Sequence, residues 1–95
     1  TAAVCMNDLI AFGVMMGLRH RGREAGRDFS VVGADDVSEA ALWAPGLTTV
    51  SNHQSEMGRR ACERVLVRTV NPALPATRII IPPTLVVRGS TARMA

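Results

Sequence analysis

Short apolar runs alternate along this chain with stretches of helical periodicity, and that alternation limits the possible folds more than any other feature. Residues 1–5 are apolar and strand-compatible. Asn7 and Asp8 follow, and either can cap a helix. Leu9, Phe12, Val14, Met16 and Leu18 then lie in an apolar run too long for a strand. They predict a helix over residues 8–21, apolar on much of its circumference. Gly13 and Gly17 share a face that would admit another backbone, and Gly22 suits the helix end. Residues 29–33 form a nearly continuous apolar run, as expected of a strand covered on both faces in a parallel sheet. Residues 37–43 read as a short helix, Pro45-Gly46 as a turn, and residues 47–50 as a brief extended segment.

Ser51 and Gln54 have capping-box spacing. Met57, Ala61 and Val65, with Cys62 and Leu66, recur at helical intervals and predict an amphipathic helix over residues 53–69. Residues 77–81 are β-branched and strand-like, Pro82-Pro83 breaks them, and residues 85–88 form one more short strand. The order βαβαβ, then helix, strand, strand, predicts an α/β fold with a mostly parallel sheet.

Composition narrows the function classes. The chain has 95 residues, 47% of them hydrophobic but only 3% aromatic, so its core is aliphatic. A single domain of this size buries roughly 60–65% of its unfolded surface and is marginal alone. The net charge is +3, and all 11 basic residues are Arg. Eight of them fall in two helical patterns, Arg19, Arg21, Arg23 and Arg27 in one and Arg59, Arg60, Arg64 and Arg68 in the other, which describes solvated surfaces. No zinc-finger spacing, RNA-binding signature or basic zipper accompanies them. Cys5 and Cys62 form no CxxC and have no ligand spacing with His20 or His53, so free thiols are expected and no metal. No apolar run approaches the roughly 20 residues that span a bilayer. The first residue is Thr, from which the true N-terminus is expected to lie upstream.

In open α/β sheets ligands bind beyond the carboxyl ends of the strands. Two predicted ends carry polar residues: Asn7-Asp8 and Asp35-Asp36. If their strands are neighbours, Asn7 and Asp35 face one crevice. An amide that donates and accepts, beside a carboxylate that accepts from two hydroxyls, suits a polyhydroxyl ligand. The same residues serve equally as caps and turn formers, with Asp8 capping the first helix and Asp36 the second. Catalysis has no such support. Neighbouring Asp35 and Asp36 point to opposite faces of a strand, and Ser51, His53 and Ser55 form no triad. There is no nucleophile elbow, phosphate loop or HExxH. No catalytic residue and no cofactor is expected.

Five segments, in order, resemble the lac repressor/galactose repressor family of transcriptional regulators. They are Asn7-Asp8 with Ala11 and Gly13; Asp28 with Ser30-Val31-Val32-Gly33 and Asp35-Asp36; Pro45 with Leu47-Thr48-Thr49-Val50; Met57-Gly58 with Ala61; and Pro82 with Leu85-Val86, Arg88 and Ser90-Thr91. Together they span nearly the whole chain. Ala34 stands where the family has an aromatic, and Gly46 where it has a second proline.

The resemblance implies part of a periplasmic-binding-protein-like (type I) effector domain, a two-lobed Rossmann-like fold with a small molecule between the lobes. It implies that residues 1–50 are a βαβαβ segment of the C-terminal lobe, residues 51–81 a crossover helix and strand of the N-terminal lobe, and residues 82–95 a return strand and tail. Asn7 and Asp35 match effector-binding positions, and Asn52 a polar position at the pocket edge. Phe12 and Trp43 match positions packed against a second subunit, although Trp43 could equally cap its own core. The implied protein is a cytoplasmic, homodimeric, effector-sensing regulator, not an enzyme. Its effector is sugar-like, and it contacts operator DNA only through an N-terminal helix-turn-helix headpiece outside these residues. The alternative is a periplasmic sugar-binding protein of an uptake system. A lobe without its complement exposes an apolar patch, so self-association is expected.

Overall fold

The computed structural model describes residues 1–94. Its elements, in order, are β1 (Ala2–Val4), α1 (Asp8–His20), β2 (Ser30–Ala34), α2 (Glu39–Leu42), β3 (Thr48–Ser51), α3 (Gln54–Val70) and β4 (Thr84–Val86). The strands form one sheet in the order β1-β2-β3-β4. β1, β2 and β3 are parallel neighbours, and β4 runs antiparallel beside β3.

The core lies between this sheet and α1. Ala11, Phe12 and Met15 of α1 meet Val31 of β2, Ala25, Ala40 and Leu47. Along β2 burial alternates: Val31 and Gly33 are buried while Ser30, Val32 and Ala34 are half-buried. The expected strand covered on both faces is therefore covered fully on one. α1 begins at Asn7, whose side chain accepts from the Ile10 amide at 2.9 Å. It closes with Gly22 at φ +68°, the Gly22 amide bonding Arg19 O and the Arg23 amide bonding Leu18 O. That reciprocal pair is the Schellman ending that a glycine after the last turn makes possible.

Several local expectations fail for physical reasons. The second helix is a single turn, Glu39–Leu42, whose cap is Ser38 and not Asp36. The capping box at Ser51 does not form: His53 occupies the cap of α3 at φ 51° and makes no side-chain cap bond. Among the described residues nothing comes within 4 Å of a Cβ placed at Gly13 or Gly17, which leaves their shared face open to another backbone. Residues 77–81 join no strand of the sheet, because α3 carries them away from it.

That departure is the main irregularity of the shape. None of the residues of α3 is buried. The chain measures 60 × 23 × 17 Å with a radius of gyration of 18.0 Å, whereas a compact domain of this length has about 12 Å. Its accessible surface is 6760 Å², against about 5,300 Å² for a compact monomer of this mass. Because β4 is antiparallel to β3, the excursion leaves and returns at the same end of the sheet. Ser51 and Thr84 are direct partners across that point.

Candidate functional site

The carboxyl ends of three adjacent parallel strands bring the expected site residues to one edge. Asn7 follows β1, Asp35 follows β2 and Asn52 follows β3. All three are half-buried. The backbone ladder continues to this edge, with Cys5 N donating to Val32 O and Asp35 N to Val50 O, both at 2.8 Å. Asn7 spends its side-chain oxygen on the helix cap, which leaves its NH₂ group as the donor it can offer. Asp8, the alternative cap, is not one.

Asp35 and Asp36 have φ of 107° and 53°. Side chains other than glycine rarely occupy that region, and strain of this kind persists only where the surroundings hold it. Here they do. Asp36 Oδ1 accepts from Arg88 Nη2 at 2.8 Å in a half-buried ion pair. The Val37 amide donates to Asp8 Oδ2 at 2.9 Å. Among the described residues the Asp35 carboxylate meets only the Gln54 amide, at 3.4 Å. The edge thus presents one lightly engaged carboxylate and one amide donor.

The return of the chain after α3 lies beside it. His53 Nε2 is 2.8 Å from Thr84 Oγ1, joining the outgoing and returning segments. Among the described residues no group of three or more His, Cys, Asp and Glu could hold a metal, and no helix is long and apolar enough to cross a membrane.

Phe12 and Trp43 lie away from this edge. Their rings stack at 4.6 Å, and Phe12 is only 6% exposed. The chain itself therefore covers most of the Phe12 ring. Trp43 is half-buried, and its outer surface lies beside Met16, Arg19 and His20.

Several motif residues have roles that no local sequence pattern announces. Asp8 is fully buried and accepts from Thr49 Oγ1 at 2.5 Å. Ser90, also fully buried, donates from Oγ to Val31 O at 2.6 Å and accepts from the Thr48 amide at 2.8 Å. Arg88 donates from Nη1 to Leu47 O at 2.9 Å. Thr48 and the terminal Arg-x-Ser-Thr segment therefore tie the tail to the amino ends of β2 and β3, while Thr49 bonds Asp8. Polar residues inside apolar segments were the signal available for this. Gly46, in the place of a second proline, has φ +85°, which a proline cannot adopt.

Residues 1–91 match the family described as periplasmic binding protein-like domain. The chain is 34% identical over 95 residues to the HTH-type transcriptional repressor PurR of Mannheimia succiniciproducens, covering 100% of this chain and 28% of that protein. The chain thus spans a little over a quarter of that relative's length. In structure it resembles a LacI family transcriptional regulator from Enterococcus faecium with bound ribose. The TM-score is 0.95 at 28% identity, covering 100% of this chain and 35% of that one. The lac repressor dimer bound to operator and an anti-inducer matches with a TM-score of 0.86 at 31% identity, over 98% of this chain and 32% of that one.

Proposed function

The chain belongs to the periplasmic binding protein-like family, in the form carried by lac repressor-type regulators, and from that premise we propose that it is the effector-sensing segment of a cytoplasmic DNA-binding transcriptional regulator. The observation that carries the reading is the convergence of Asn7, Asp35 and Asn52 on the carboxyl ends of three adjacent parallel strands. The effector is a polyhydroxyl compound of the sugar class, held through hydroxyls by the Asp35 carboxylate and the Asn7 amide. The ribose bound to the Enterococcus faecium regulator supports that class.

Residues 1–50 belong to one lobe, residues 51–81 to the other, and residues 82–95 return to the first. An α3 with no buried residue, attached through the paired Ser51 and Thr84, supports this division. A ligand between the lobes favours one lobe arrangement by its differential affinity and so shifts the population. Operator binding lies outside these residues. The dimeric state of the lac repressor supports a homodimer here, with Trp43 as a contact. Named relatives that are regulators favour this reading over a sugar-uptake protein.

The test is Asp35→Ala in the complete regulator, read as reporter output with and without D-ribose. The response is expected to vanish at unchanged protein level. An unaltered response overturns the assignment.

A further inference from the structure

Residues 35, 36 and 37 are each fastened to a different part of the fold. Asp35 is held by its amide to Val50 of β3, Asp36 by its carboxylate to Arg88 after β4, and Val37 by its amide to Asp8 of α1. Of these anchors Asp8 is the least expected. It is 0% exposed, and among the described residues no cationic side chain pairs with it. Burying a carboxylate without a cation is unfavourable unless its oxygens are well bonded. Here Oδ1 takes the Thr49 hydroxyl at 2.5 Å and Oδ2 the Val37 amide at 2.9 Å.

The surroundings are shaped to admit this group. A Cβ on Gly33 would collide with Asp8 Oδ1 and press on Leu47 Cδ2, so the glycine leaves the carboxylate its passage to the turn. Asp8 does not cap its own helix, since Asn7 does that. Its oxygens face the sheet and the strained turn instead. An apolar residue would fill the space but could not take the Val37 amide.

We propose that Asp8 is a positioning residue for Asp35: by accepting the Val37 amide it holds the positive-φ turn that presents the Asp35 carboxylate at the sheet edge. The ligand consequence rests on the reading of Asp35 given under Proposed function. The backbone consequence does not. Asn at this position keeps an acceptor for Val37 and can donate to the Thr49 hydroxyl, whereas Ala keeps neither. Thr49→Val removes the other partner of Asp8 and leaves the turn held, so it separates positioning from general loss of stability.

Two measurements test this. In the 95-residue chain, amide NMR spectra of Asp8→Asn are expected to show the Val37 proton moving upfield, as a charged acceptor becomes neutral, while Asp35 and Asp36 keep positive-φ couplings. Asp8→Ala is expected to move all three amides. A Val37 proton unmoved in Asp8→Asn overturns the proposal, and that variant decides the matter even if Asp8→Ala fails to fold. In the complete regulator, D-ribose affinity is expected to fall about tenfold or more in Asp8→Ala, to recover substantially in Asp8→Asn, and to hold in Thr49→Val. Equal weakening in Asp8→Ala and Thr49→Val overturns the positioning role. Amides that move as expected, in a parent protein that binds no ribose, uphold the positioning of the turn and place the failure in the effector reading.

Discussion

Gly33 has no side chain because Asp8 and Leu47 occupy the place one would take. Gly33→Ala is therefore expected to destabilise the chain by about 1–3 kcal/mol, the usual range for overpacking a tight site, read as a shift in urea midpoint at constant slope. The thiols differ as sharply. Cys62 is exposed on α3, while Cys5 is half-buried and burial pushes its thiol pKa up. Because the thiolate reacts, Cys62 is expected to alkylate well before Cys5, followed by peptide mass spectrometry; Cys5 reacting first contradicts the burial. At this scale the sequence was legible in part. Asn7 and Asp35 could be placed at strand ends because local polarity marks such ends, whereas Asn52 entered only through the family resemblance. That Asp8, Thr48, Thr49 and Ser90 are buried was not legible, since their bonds join residues about 30 to 60 apart along the chain, and no local pattern encodes such pairs.

α3 shows what an element does without a core beneath it. Its exposed face carries a cluster of charge: Glu56 receives Arg59 at 2.6 Å and Arg60 at 2.8 Å, and Arg59 also reaches Glu63. Hydrogen bonds from Arg59 and then Arg60 lower the Glu56 carboxyl from 4.5 to about 2. A carboxyl lowered in the folded state stabilises it above its unfolded pKa, and the contribution fades as pH falls from about 4.5 to 2. The helicity of the chain is expected to decline over that window, and Glu56→Gln to flatten the decline, both read by far-ultraviolet circular dichroism. The group is exposed, so added salt is expected to shrink the effect. Helical periodicity made α3 legible to within one residue at each end. Residues 77–81 misled because β-branched composition describes a strand's fitness for a sheet and cannot supply the partner strand.

The excess surface and the length of the molecule have one source, the out-and-back excursion between Ser51 and Thr84. Val65, Leu66 and Val70 are 64%, 68% and 87% exposed along it. Apolar area displayed in this way favours association. Light scattering on the 95-residue chain is expected to report a dimer or larger assembly, and Leu66→Glu with Val70→Glu to shift it toward monomer; a clean monomer for the parent contradicts the expectation. The α/β class and parallel order were legible from alternation alone. Periodicity describes the helix of the projecting arm and says nothing of where it points; only the family resemblance, by assigning residues 51–81 to a second lobe, set that stretch apart. The paired root of that arm has a mechanical meaning. Two antiparallel strands side by side resist bending within their plane, along their hydrogen bonds, and bend more easily out of it, so they behave as a leaf spring. The 17 residues of α3 form a lever about 25 Å long at 1.5 Å per residue, so a flexure of about 5° at the root sweeps its tip by about 2 Å. His53 and Thr84 sit at the fulcrum, and Asp35, one strand over, touches the lever at its first residue, Gln54.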